Sequence, residues 1–169
     1  IEAVGLRPGD PVAALVPLSS VAAFCFGLYL PALLGGTQVC LDGWKPERAL
    51  DVMEEQAVAW TMLVPTMALQ LSLVPGAEGR LRSLRAMTVG GGPMNAGALE
   101  RAEQTLGTRF LRVFGMSECL GHTTPLPSDD AATRLGRDGR PFPGTQVRVV
   151  GEDGEALPQG RTGNAQVRG

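Results

Sequence analysis

The sequence predicts an α/β fold: a mostly parallel sheet flanked by helices, followed by short antiparallel strands. Three observations carry this expectation. Through about the first two-thirds of the chain, short apolar or β-branched runs alternate with helical patterns, as in successive βαβ units. Several of the runs are continuously apolar, as expected for strands covered on both faces. Towards the end the character changes to short strand-like runs separated by tight-turn residues.

The elements follow in order. "PVAALVPL" is a continuous apolar run and reads as the first strand. "SSVAAFCFGLYLPALLGG" opens on two serines able to cap a helix and stops at a glycine pair. "TQVCL" is strand-like. "KPERALDVMEEQ" places Pro46 where a first helical turn tolerates it, with Ala49, Met53 and Ala57 on one face. "VAWTMLV" is a strand, "PTMALQLSLV" a short helix and "PGAEGR" a turn region. "LRAMTV" is a strand, "GGGPMN" a loop, "AGALERAEQTLG" a helix stopped by Gly107, and "TRFLRVF" a strand that ends at Gly115. "LPSDDAATRLGRDGRPFPG" is rich in turn residues and reads as loop. "TQVRVV" and "AQVRG" then form short antiparallel strands around "GEDG" and "PQGRTG". The change of character places a boundary near Leu135, with an α/β unit over 1–134 and a second unit over 135–169.

Composition bounds the function. With 169 residues, 44% hydrophobic and 19% charged, the chain can bury a substantial core and is not disordered. A net charge of −2 supplies no field for nucleic acid or anionic lipid, so neither is an expected partner. Cys25, Cys40 and Cys119 are widely spaced without a CxxC pair, which fits reduced thiols in a cytoplasmic protein and not a zinc site. The most apolar segment, "VAAFCFGLYLPALLGG", is too short to span a bilayer and is interrupted by Pro31; it reads as a buried helix. The uncapped ends lead one to expect a piece of something longer, and the oligomeric state is not legible.

In open parallel sheets, ligands bind where the carboxyl ends of the strands meet the following loops and helix N-termini. The unusual junctions of this chain fall at such ends: Ser19 and Ser20 after the first strand, Pro65 and Thr66 after the third, Gly90 to Pro93 after the fourth, and Gly115, Ser117 and Glu118 after the fifth. Three successive glycines remove every Cβ from one turn, so a flat or charged ligand can lie on bare backbone. The same "GGGP" also serves as an ordinary flexible turn. Ser117 and Glu118 offer a hydroxyl to a phosphate oxygen and a hard carboxylate to Mg²⁺; equally, they suit a helix N-cap and a first-turn acid. His122 is the sole histidine, which supports no metal site or catalytic triad, and is expected to be structural or solvent-facing.

Taken together these residues resemble a family. "VFGMSE" is similar to the Tyr-Gly-x-Thr-Glu motif of the adenylate-forming superfamily, which includes acyl-CoA synthetases, firefly luciferase and the adenylation domains of peptide synthetases. "VGGGPM" resembles that family's Gly-Gly-Ala-Pro-Leu loop, and "GRPFPGTQVRVV" its Gly-Arg-Pro-x-Pro-Gly segment. "GDPVAALVPLSS", "LVPTM" and "GRTGNAQVRG" fall in the expected order. The resemblance implies an acetyl-CoA-synthetase-like, adenylate-binding subdomain over 1–134, the start of a small β-barrel subdomain over 135–169, and a parent enzyme that converts a carboxylic acid and Mg·ATP to an acyl-adenylate and then passes the acyl group to coenzyme A.

By position, the resemblance implies that nucleotide is bound by Gly90, Gly91, Gly92, Pro93, Val113, Phe114, Gly115, Met116 and Ser117. Phe114 would stack on the adenine, Ser117 would bind the α-phosphate, and Glu118 would help hold Mg²⁺. Ser20, Phe24, Thr66 and Gly92 would border the acyl pocket. Three departures stand out: Ser117 replaces a threonine and keeps the hydroxyl, Phe114 replaces a tyrosine and loses one, and Ser20 stands where many relatives carry histidine. The family's phosphate loop, ribose-binding acid and catalytic lysine are expected to lie outside these residues, since the only lysine, Lys45, matches none of them. This piece alone is therefore expected not to complete the reaction. A carrier-loading adenylation domain and a non-catalytic nucleotide-binding or interaction fragment are the alternatives.

Overall fold

The structure, a computed structural model, describes residues 4–169. Its frame is a seven-stranded sheet in the order β2-β1-β3-β4-β5-β6-β7. The strands are β1 (Val12–Ala14), β2 (Gln38–Val39), β3 (Trp60–Leu63), β4 (Ala86–Gly90), β5 (Phe110–Met116), β6 (Cys119–Thr124) and β7 (Arg140–Pro141). The pairings from β2 through β5 are parallel, and β6 and β7 are added antiparallel. A separate antiparallel pair, β8 (Gln146–Val150) and β9 (Asn164–Arg168), follows. The expected mixed architecture is therefore present. Residue 135, where a second unit is expected to begin, lies within helix α6 (Ala131–Gly136), and β7 beyond it still pairs with the large sheet.

Alternation along the strands sends side chains to two apolar clusters, one on each face. Val12, Trp60, Met62 and Leu111 pack with Phe26, Leu30 and Leu34 of the first helical segment. Ala13, Leu63, Met87 and Phe110 pack with α3 (Pro46–Glu55), α4 (Pro65–Ser72) and α5 (Ala96–Leu106). Each helix carries local signals. Pro46 and Pro65 stand in the first turns of α3 and α4, where a missing N–H costs nothing. Asn95 Oδ1 accepts from the Ala98 N–H at 2.9 Å to cap α5, and Gly107 in the left-handed region (φ 64°) ends it. Leu99, Ala102 and Leu106 form its buried stripe.

Three expectations are corrected. The segment read as a buried helix is helical but only half covered: α1 (Val21–Ala23) runs through a π-helical stretch (Phe24–Tyr29) into α2 (Leu30–Leu34). Ala23, Gly27, Pro31 and Leu34 are buried, whereas Phe24, Leu28, Tyr29 and Leu33 face outward, Leu33 being 79% exposed. A helix on a sheet has one covered stripe whatever its composition, and high apolar content hid the stripe's period. Gly27 lets that stripe close in, since a Cβ there would lie 3.0 Å from the Ala14 Cβ.

The region read as loop contains a helix, α6, capped by Asp130 Oδ1 accepting from the Thr133 N–H at 2.7 Å. Finally, β5 does not stop at Gly115. It continues to Met116, reverses at Ser117–Glu118 and returns as β6. Ser117 and Glu118 are thus the tip of a hairpin, not the start of a helix.

Candidate functional site

The doubly wound order places a topological switch at β1, where the chain runs out to β2 and returns on the other side as β3. At the carboxyl ends of these strands a groove of about 330 Å³ opens between the start of the first helix and the β5–β6 hairpin. It is lined by Ser19, Ser20, Val21, Ala22, Phe26, Met62, Gly91, Val113, Gly115, Met116, Ser117, Leu120 and Gly121. Strand ends far apart in the sequence therefore share one crevice.

The glycine triplet reaches this place for steric reasons. Gly90 is the last residue of β4 and pairs with Val113. A Cβ on Gly90 would run into the Val113 side chain and stand 2.7 Å from its carbonyl oxygen. Gly91 has a φ of 80°, turns the chain away from the sheet and lines the groove. Gly92 is open, its nearest foreign atom in Pro65 lying 3.7 Å from a would-be Cβ. Thus Gly90 admits strand contact, Gly91 makes the bend, and Gly92 is exposed beside Pro93 at the rim.

The hairpin has a matching device. A Cβ on Gly115 would stand 2.7 Å from the backbone nitrogen of Gly121, so the strands approach there as only glycines allow. Gly121 itself lies at φ 74°, inside an irregularity that shifts the register between the Phe114–Thr123 and Met116–Cys119 pairs. The glycine that looked like a strand stop is a close crossing of two backbones. Ser117 and Glu118 are carried beyond it and are exposed.

The remaining expected site residues fall as follows. Ser20 borders the groove, and its Oγ caps the helix by accepting from the Ala23 N–H at 3.1 Å. Phe114 is 38% exposed and meets His122 edge-on, ring centroids 5.0 Å apart. His122 is fully buried, so it is structural and not solvent-facing, and neither ring nitrogen bonds another protein group among the described residues. Phe24 does not line the groove: it lies on the outer side of the helix against Tyr29. Thr66 opens on a different cavity, with Pro17, Leu18, Trp44 and Gln70. The structure therefore brings together Ser20, Gly91, Val113, Gly115, Met116 and Ser117; Gly92, Pro93, Phe114 and Glu118 are exposed next to them in the chain without lining the groove, Gly90 is buried in β4, and Phe24 and Thr66 lie apart.

Sequence reasoning passed over Phe26, Met62 and Leu120. Phe26 is two residues from Phe24 and so lies nearly opposite it around the helix; the buried spacing of Ala23, Gly27 and Pro31 was the available signal. Leu120 and Gly121 were missed with β6 as a whole. Among the described residues no cluster of three His, Cys, Asp or Glu side chains could hold a metal by itself. Glu118 at the hairpin tip is one hard carboxylate, and Mg²⁺ arriving with a nucleotide needs only one or two such ligands beside phosphates and water. The donor set fits the ion in that form.

A doubly wound α/β domain with a glycine bend and a hairpin hydroxyl on one groove at its strand ends is a nucleotide-binding type of architecture. The chain belongs to the AMP-binding enzyme family, whose sequence model matches residues 1–169. Pyochelin synthase PchD of Pseudomonas aeruginosa is 36% identical over 148 residues, covering 86% of this chain and 27% of that protein. Feruloyl-CoA synthase of an Amycolatopsis species is 32% identical over 142 residues, covering 83% of this chain and 29% of that one. The ATP-bound structure of MatB from Rhodopseudomonas palustris superposes with a TM-score of 0.88 over 99% of this chain and 33% of its own, at 23% identity, a likeness of fold. The chain thus spans a third or less of each of these relatives. No helix among the described residues is long and apolar enough to cross a membrane.

Proposed function

We propose that this chain is the central part of an acyl-CoA synthetase, which activates a small or medium carboxylic acid with Mg·ATP and transfers the acyl group to coenzyme A. The observation that carries this reading is the convergence of Gly91, from the glycine bend, with Val113, Gly115, Met116 and Ser117 of the hairpin on one groove. Gly91 in the groove and Gly92 at its rim would offer bare backbone along the adenine and the acyl carboxylate. Phe114 presents a ring to the adenine, with Gly90, Pro93, Val113, Gly115 and Met116 shaping the surface around it. Ser117 donates its hydroxyl hydrogen to an α-phosphate oxygen, and Glu118 holds Mg²⁺ at the tip. When bound, the ion neutralises phosphate charge that grows during attack on the α-phosphorus.

The acid's carboxylate attacks that phosphorus, its O–P bond forms, and pyrophosphate leaves with the broken bond's electrons. A thiol then displaces AMP from the acyl carbon. Ser20 sits across the groove, where the acid enters. The division into an adenylate-binding unit and the start of a β-barrel near residue 135 belongs to the same proposal. The free Cys25, Cys40 and Cys119 suit a reducing, cytoplasmic setting.

ATP–pyrophosphate exchange by the full-length protein tests this. Glu118→Ala is expected to slow exchange by about 100-fold, and equal rates would remove the metal role. A second reading, loading of a thiol on a carrier protein, draws support from one relative, PchD, being a pyochelin synthase. Both readings share the exchange half-reaction. Comparing free coenzyme A with a phosphopantetheinylated carrier as acyl acceptor separates them.

A further inference from the structure

His122 lies in β6 just past the irregularity at Gly121, and its side chain is fully buried. The imidazole meets the Phe114 ring edge-on, with centroids 5.0 Å apart and planes at 80°, an arrangement that aromatic pairs favour. Its own backbone is pinned. The His122 carbonyl accepts from the Phe142 N–H at 3.1 Å, and Thr123 beyond it pairs with Pro141 of β7. The Phe142 ring also covers Gly121, where a Cβ would stand 3.2 Å from a ring carbon. Phe114 is held less firmly. β5 pairs last with β4 at Val113, opposite Gly90, so from Phe114 onward its strand partner is β6 alone. Part of the Phe114 ring is open to solvent, and part is closed off by His122. Neither His122 nitrogen bonds another protein group among the described residues, so hydrogen bonding to protein does not account for an imidazole here. What it offers Phe114 is a rigid, buried ring.

We propose, resting on the reading of Phe114 as the platform for adenine, that His122 is a positioning residue for the nucleotide. It holds the Phe114 ring at a fixed tilt, so that a purine meets a surface already oriented. Being fully buried, His122 touches no substrate itself and acts only through Phe114. A side chain whose rotation is restricted beforehand loses little freedom when a base stacks on it, and that difference appears as affinity. Without the buried ring, Phe114 is free to turn about its own side-chain bonds at the end of a strand that β4 no longer flanks. The base would then have to order the ring as well as stack on it. His122 and Phe114 are accordingly one device: the second presents a face, and the first decides where that face points.

The test is calorimetric titration of the full-length protein with Mg·ATP, in which the folded fraction enters the stoichiometry and not the Kd. His122→Val, a strand-forming residue without a ring, is expected to weaken ATP binding by about tenfold, the scale of one base–aromatic stacking contact. His122→Phe restores a flat ring and is expected to stay within about threefold of native. In a Phe114→Ala background, which has lost the platform, His122→Val is expected to change the Kd by no more than about twofold, since the two residues act as one. A residue that merely supports the fold gives a different result, because its loss adds to that of Phe114→Ala. An unchanged Kd in His122→Val, equal losses in the Val and Phe variants, or additive losses in the double variant each overturn this inference and leave the acid-activating reading standing. A native Kd in Phe114→Ala removes the adenine role of Phe114, and this inference with it. Absence of ATP binding by the native protein overturns the acid-activating reading itself.

Discussion

Arg134, buried in α6, grips Glu103 of α5 with both arms of its guanidinium: Nη1 donates to Oε2 at 2.6 Å and Nη2 to Oε1 at 2.8 Å. The pair also holds the first residue of β5. Glu103 Oε2 accepts from the Phe110 N–H at 2.6 Å, and Arg134 Nη1 donates to the Phe110 carbonyl at 2.7 Å. Two helices and the strand that bears the site are thereby locked at one point.

Removing one partner of a buried pair strands the other charge, at a cost of about 3–5 kcal/mol. Glu103→Gln is accordingly expected to lower the urea midpoint strongly and to speed amide exchange at Phe110. If Phe110 exchanges at the native rate in the variant, the lock does not hold β5.

Asp10 makes a stability contribution that depends on pH. Hydrogen bonding from the Arg85 side chain, aided by the Arg7 backbone N–H and opposed by partial burial, holds its carboxyl below the ordinary value of 3.8. A carboxylate depressed in the folded state stabilises above its unfolded pKa, and that contribution is lost as pH falls through the folded value. The native protein is therefore expected to lose stability below about pH 4 more steeply than Asp10→Asn. Urea midpoints measured between about pH 6 and pH 2 check it; parallel curves would refute the linkage.

Within the glycine triplet, the first and last positions differ in tolerance. Gly90→Ala drives a methyl into Val113 and is expected to cost about 1–3 kcal/mol by overpacking. Gly92→Ala meets only Pro65 at van der Waals distance and should stay within about 0.5 kcal/mol of native. Thermal unfolding of the two variants side by side decides the matter.

Ser117 is expected to act through its hydroxyl alone. Ser117→Ala should reduce pyrophosphate exchange by about 100-fold, the usual loss when one preorganised donor is removed. Ser117→Thr, which keeps the donor, should remain within about tenfold of native. Equal loss in both variants would point to crowding at the tip and not to hydrogen bonding.

The parallel strands and most helices were legible because their signals are local: apolar runs, prolines in first turns, Gly107 as a stop. What escaped depends on long-range pairing. Gly115 reads as an ending because glycine weakens a strand; its role as a crossing point is visible only with Gly121 opposite it. The two phenylalanines of the first helix differ for a similar reason. Phe24 and Phe26 carry the same side chain, and only the buried spacing of Ala23, Gly27 and Pro31 tells which faces the sheet. Of the site itself, the two motifs and their meeting were readable, and the wall of the groove was not.

The hairpin tip has a mechanical consequence. Its two legs are joined to each other, β5 is bonded to β4 on its far side, and β6 is bonded to β7 on its own. Those flanking pairs stop at Val113 on one leg and at Thr123 on the other, so the hydroxyl and the carboxylate ride on a two-legged arm that projects past its neighbours, and only the arm's own rungs set how far they can swing over the groove.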